Sequence, residues 1–237
     1  MRLLLFFCVL LFASCREQNG DVVAVSAPQI TSTDFVLLPC VDIPSDRACA
    51  LLMAGGKRIL VGAPEGVSNG LGQKDLQNLD AVLLLSLRGQ DIEGLGAIRN
   101  ATWQAGRVQQ LMVAGPLGVQ DINDGLNTVY EAADAFAYVE GRTSGGYDVA
   151  PLKPVTARGR VFDTGDLKID AREDSAGYVG YDVNYNGVHV VILPCGHSAN
   201  SRVDALAGDY ILACDAGEAQ WPVHVPAFIN DAKQGAK

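Results

Sequence analysis

Apolar positions in this chain fall in short runs, cut by glycine and polar turns, and the runs alternate with stretches of helical spacing. Residues 35–38 form the first run and predict a strand. Residues 50–53 and 58–61 predict two more, joined at Gly55-Gly56, a hairpin signal. Residues 62–72 read as a glycine-rich loop and 75–79 as a short helix. Residues 81–85 are continuously apolar, as in a strand covered on both faces. Residues 92–103 predict a helix, and 111–114 a strand ended by Gly115-Pro116. Over 119–138, Ile122, Leu126, Val129, Ala133 and Phe136 recur at helical spacing, which predicts an amphipathic helix with that stripe turned to the core. Residues 141–165 read as loop with short extended pieces. Strands follow at 167–171, 178–185 and 188–193, the last two joined by Asn186-Gly187. A helical turn is expected at 203–207 and a final strand at 210–214. No solenoid repeat is visible. Interleaved strands and helices around one core give an α/β class with two sheets between helices.

The first residues read as an address. Met1-Arg2 is followed by an apolar run over 3–12 and then Ala13-Ser14-Cys15. The run is too short to span a bilayer and ends in small residues, as an export signal does. A cysteine directly after small residues resembles the lipobox of bacterial lipoproteins, with Phe12 departing from its usual aliphatic residue. That resemblance implies lipidation of Cys15 and anchoring by several acyl chains. The alternative is an ordinary cleaved signal with an incidental cysteine. Arg16 is not the aspartate that retains lipoproteins at the inner membrane, which directs the expectation to the periplasmic face of the outer membrane. The expected organisation is a signal over 1–14, a tether over 15–33 and one domain over 34–237.

Charge and cysteine content narrow the classes. The chain has 237 residues, a formal net charge of -9 and 49% hydrophobic residues, enough for one sizeable core. No basic run occurs, so binding to nucleic acid through its phosphates is not expected. Export removes Cys8, and lipidation would use Cys15. Cys40, Cys49, Cys195 and Cys214 remain, as two disulfides in any of three connectivities or as four buried thiols.

Three segments carry a family resemblance. They are Arg58-Ile-Leu-Val-Gly-Ala-Pro-Glu-Gly-Val67, Leu79-Asp-Ala-Val-Leu-Leu-Leu-Ser-Leu-Arg-Gly-Gln-Asp-Ile-Glu-Gly-Leu95 and Leu111-Met-Val-Ala-Gly-Pro-Leu-Gly-Val119. Their order and spacing resemble the metallo-β-lactamase superfamily, in its ribonuclease Z and arylsulfatase-like branch. That branch has an Asp-x-Gly-x-Gly loop, a Thr-His-x-His-x-Asp-His-x-x-Gly-Leu segment and a Gly-Pro-x-Gly turn. The resemblance runs from about residue 36 to about 217. It implies an αββα sandwich of two mixed sheets between helices. It also implies hydrolysis of phosphoesters or sulfate esters at two zinc ions, which activate a water.

Carried over residue by residue, the metal motif is degenerate. Ser86 and Arg88 stand where the family has histidines, and Gln90 and Asp91 where it has Asp then His. Gly62 replaces the aspartate of the first loop. The later histidine falls near Asp174 or Ser175, and the bridging aspartate falls on His197, within Cys195-Gly-His-Ser198. Ser and Gln are poor zinc ligands, and Arg88 would put a fixed cation among dications. His189, in a strand pattern, reads as a structural histidine, and His224 as a surface or packing one. Asp91 and His197 are the remaining candidates for chemistry.

The retained Gly66, Gly94, Leu95, Gly115, Pro116 and Gly118 shape loops rather than perform chemistry. The expectation is therefore a metal-free, non-catalytic envelope lipoprotein. Its vestigial cleft of Ser86, Arg88, Gln90, Asp91, His197 and Asp215 would bind a protein partner or a small anion, Arg88 supplying the charge. The alternative is a zinc-dependent hydrolase built around Asp91, His197 and Asp215. The acidic stretch Asp163, Asp166, Asp170, Glu173 and Asp174 reads as a solvated face; its spacing fits no calcium loop of the EF-hand type.

Overall fold

A computed structural model describes residues 31, 33–44, 47–173, 176–194 and 210–212. The expected signal, the turn at 203–207, and Cys15, Asp174, Ser175, Cys195, His197, Cys214, Asp215 and His224 lie outside these residues. Among the described residues no helix is long and apolar enough to cross a membrane.

Two mixed sheets face one another. The first has strand order β1 (Val36–Pro39), β2 (Ala50–Ala54), β3 (Lys57–Val61), β4 (Ala81–Leu83), β5 (Leu111–Gly115) and β6 (Leu152–Thr156). Strands β1, β2 and β3 are antiparallel, and β3 through β6 run parallel. In the second sheet β7 (Gly159–Asp163), β8 (Leu167–Glu173), β9 (Val179–Tyr185) and β10 (Val188–Ile192) form a meander. Strand β11 (Tyr210–Leu212) pairs parallel to β10. The β2–β3 turn holds Gly55 and Gly56 at φ 59° and 74°, left-handed values that a two-residue hairpin of primed type demands.

Alternation along the strands divides the core in two. Phe35, Leu37, Leu52, Ile59, Val61 and Leu83 face the second sheet and meet Val179, Tyr181, Val183, Val190 and Ile192. Their neighbours Val36, Leu51, Leu60, Val82 and Val113 point the other way, towards the helices. The first sheet is thus apolar on both faces, which is why its strands read as continuous apolar runs. Each such side chain contributes about 1.5–3 kcal/mol relative to an exposed one. Tyr181 crosses between the sheets: its hydroxyl donates to Leu84 O at 2.8 Å, with Ala114 O at 3.3 Å. Full burial pushes that phenol's pKa well up.

Among the described residues four α-helices belong to the first sheet's side: α1 (Gln73–Gln77), α2 (Gly89–Ile92), α3 (Leu95–Gln104) and α4 (Val119–Val139). The single helix expected over 92–103 is two. The break is at Gly94, where a Cβ would stand 2.1 Å from Pro64 O. The Gly94 N–H donates to Ala63 O at 2.8 Å, so this close approach belongs to the strand-end loop.

The expected apolar stripe of α4 holds for its first half only. Ile122 and Leu126 pack on the core, whereas Val129 and Phe136 are 75% and 66% exposed and Ala133 is exposed too. From mid-helix the inward face is polar. Asn127 accepts from Leu152 N–H at 2.8 Å and donates to Leu152 O at 3.1 Å, pinning the start of β6. Asp134 receives the buried guanidinium of Arg99 from α3. A buried ion pair has no apolar signature, so periodicity placed the wrong face inward.

Cys40 and Cys49 form a disulfide that ties the end of β1 to the residue before β2. This selects one half of a connectivity that sequence left open. The acidic stretch behaves as a solvated face where described: Asp163 and Asp170 both pair with exposed Arg160, at 2.6 and 2.7 Å.

Candidate functional site

Strands β3, β4 and β5 are parallel, so their C-terminal ends open at one edge of the sandwich, where open α/β sheets place ligands. Three loops meet there. Gly62 and Ala63 leave β3, Ser86 to Gln90 follow β4, and Gly115 to Gly118 lead into α4. Backbone bonds tie them together: Gly62 N–H to Leu83 O at 2.8 Å, Leu84 N–H to Ala114 O at 2.8 Å, and Ala63 N–H to Asp91 O at 3.1 Å. The second sheet closes the group through Val179 N–H to Leu85 O at 2.8 Å.

Ser86, Arg88, Gln90 and Asp91 sit together on the β4 loop and the short α2. Ser86 is 1% exposed. Its hydroxyl donates to a carboxylate oxygen of Asp91, and its oxygen accepts from the Arg88 N–H at 3.1 Å. Burial pushes the Asp91 carboxyl above its ordinary value, against the Ser86 hydrogen bond and the charges of Arg88 and Arg47, which act the other way. Gln90 and the Arg88 side chain face outward. The Arg88 guanidinium lies over the Tyr178 ring, 3.8 Å from its centre, a cation–π contact.

Two partners of this group carry no sequence signal of their own. Arg47 reaches from the loop before β2 to Glu93 at 2.9 Å and to Gln90 O at 3.4 Å. Tyr178 reads only as the start of a strand. Both come from distant chain positions and meet the loop only through sheet packing. His189 has the structural role expected of it, with Nε2 3.0 Å from Asp182 Oδ1. Arg172 pairs with the other oxygen of Asp182.

The resemblance implies zinc here, and the described residues of this loop do not fit it. Asp91 is the only carboxylate among Ser86, Arg88, Gln90 and Asp91, and Ser86 already donates to it. Gly62, at the first family aspartate, has φ 76°, and a Cβ there would lie 1.9 Å from Ala48 O. No side chain of any kind can stand at that position without moving the β1–β2 loop. Among the described residues no three of His, Cys, Asp or Glu gather into a metal-binding group.

The fold of sheets and loops matches solved structures. Human tRNase Z, short form, superposes with a TM-score of 0.51 at 15% identity, over 76% of each chain. The metallo-β-lactamase fold protein YhfI from Bacillus subtilis gives 0.49 at 15%, over 76% of this chain and 70% of that one. Zinc-bound PqqB from Methylobacterium extorquens gives 0.43 at 14%, over 70% and 56%. No protein-family profile matches the chain, and no curated protein matches it in sequence. The chain has the metallo-β-lactamase fold, with two mixed sheets and helices as expected from its motifs. At such identity the likeness carries the fold alone.

Proposed function

We propose that this chain is a non-catalytic protein of the metallo-β-lactamase fold, using the strand-end cleft to bind an anionic group rather than to hydrolyse an ester. The observation that carries the reading is the replacement chemistry of the β4 loop. The Ser86 hydroxyl engages the Asp91 carboxylate, and Arg88 presents an outward-facing guanidinium braced on Tyr178. A planar cation held on an aromatic face is preorganised for a carboxylate, sulfate or phosphate oxygen pair. The signal-like start and Cys15 support a lipid anchor at the cell envelope, with the domain turned to the periplasm.

Metal content tests the reading first. The domain from residue 16 onward, purified without chelator and reloaded with zinc, is expected to hold metal far below one equivalent. Sulfate binding is expected to weaken about tenfold in Arg88→Ala. One or two equivalents of tightly held zinc, with chelator-sensitive ester hydrolysis, would replace this reading with the hydrolase built on Asp91, His197 and Asp215.

A further inference from the structure

At the opposite end of the sheet, where β4 and β5 begin, the described residues enclose a second and unrelated cavity of about 260 Å³. Its walls come from the β2–β3 turn, the end of α1 and the α3–β5 loop. Lys57, Arg58 and Arg107 line it, with Asp80 as the one carboxylate in the wall. Asp75, bonded to Arg58, adds a second carboxylate beside it, and the balance is still positive in a chain of net charge -9.

Arg107 is the unusual member. It is 2% exposed. Its guanidinium donates to Thr102 Oγ1 at 3.2 Å, Gln109 O at 2.6 Å and Ala150 O at 3.3 Å, all neutral acceptors. Among the described residues no carboxylate pairs with it. Burial and the nearby charge of Arg99 lower its pKa to about 10. A buried cation without a counter-ion is costly, and folded proteins normally pair such charges. By contrast Arg99, equally buried, has Asp134.

The rim is only partly neutralised. Lys57 Nζ meets Asp80 at 2.8 Å, and Arg58 Nε meets Asp75 at 2.8 Å. The two terminal nitrogens of Arg58 make no hydrogen bond among the described residues. Lys57 and Arg58 also line an adjoining hollow that Lys74 closes, which extends the positive surface. The rest of the wall is rich in primary amides, from Gln77, Asn78, Gln109 and Gln110. Amides both donate and accept, which suits hydroxyl groups.

We propose that this cavity binds a phosphate monoester of a small hydroxylated molecule. Arg107 supplies the buried counter-charge, Lys57 and Arg58 clasp the phosphate from the rim, and the amides take the hydroxyls. With Lys57 and Arg58 each beside a carboxylate, the uncompensated charge is that of Arg107, which a phosphate oxygen would meet, and the cavity's volume exceeds that of phosphate alone.

Calorimetric titration of the full chain with inorganic phosphate, glucose 6-phosphate and glucose tests this. In this cavity one site is expected, with glucose 6-phosphate tighter than phosphate and glucose silent, besides any anion binding at the Arg88 cleft. Lys57→Gln and Arg58→Gln, half-buried changes at the rim that leave the Arg107 hydrogen bonds in place, are each expected to weaken binding about tenfold. Arg88→Ala removes the cation of the strand-end cleft, so the binding that remains in that variant reports this cavity alone. Arg107→Lys keeps the charge but loses the fork and is expected to weaken binding further; the rim variants carry the test if it fails to fold. No binding at about 10 mM of either phosphate compound would overturn the proposal. So would glucose 6-phosphate binding that survives both rim changes when Arg88 is also replaced by alanine.

Discussion

The guanidinium of Arg99 on α3 and the carboxylate of Asp134 on α4 meet in a two-pronged ion pair, the arginine fully buried and the aspartate nearly so. Tyr130 lies 5.1 Å from the same guanidinium, ring to cation. The pair locks the two longest helices of the described chain, and α4 in turn pins the start of β6.

Asp134→Ala leaves Arg99 buried and uncompensated beside Arg107, whose positive charge already stands close. Such breaks cost about 3–5 kcal/mol. Urea denaturation should report that loss, and Arg99→Met with Asp134→Leu should recover most of it by replacing the pair with apolar contact.

Placing an aspartate at residue 62 should not create a metal site. Gly62→Asp meets both a left-handed backbone and Ala48 O. It is expected to destabilise by about 2–4 kcal/mol and to leave zinc uptake no higher than in the parent chain. Thermal unfolding and metal analysis of the same sample check both parts.

Asp91 should leave a signature in the acid limb of stability. Burial raises its pKa in the native state, so between the ordinary carboxylate value and that raised value the native chain carries the extra proton. Stability from this group is full below the ordinary value and falls as pH rises through the native one. Asp91→Asn, which still accepts from Ser86, should flatten that fall. Unfolding curves across the acid range, parent against variant, measure it.

The Cys40–Cys49 bridge closes a short loop. Replacing both cysteines by alanine should cost about 2–3 kcal/mol through freedom regained by the unfolded chain. Reduction of the parent protein should lower its stability by at least a similar amount, and should lower that of the double variant by correspondingly less.

Much of the architecture was written locally. The apolar runs at β3, β4 and β5 read as strands, the one at β4 as a strand covered on both faces, and the residue types at Gly55-Gly56 and Asn186-Gly187 called for tight turns whatever the surroundings. That Ser86 and Arg88 are not histidines was equally plain, since it concerns residue identity alone. Other features depended on what packs against what. Asp134 reads as a solvent residue until Arg99 stands beside it, so the inward face of α4 was misjudged from Val129 onward. Gly94 fell inside an expected helix while also reading as a loop-shaping glycine, and only the approach of Pro64 O shows that the second role decides. Arg47 and Tyr178 join the Ser86–Asp91 loop across long sequence separations, and Arg107 becomes an unpaired buried charge only when α3, β5 and the loop before β6 close around it. Local sequence determined which segments would be strands and turns, because backbone preference and apolar spacing act over a few residues. Tertiary structure decided where the charges ended up, because burial and pairing are properties of neighbours that the chain brings together only on folding.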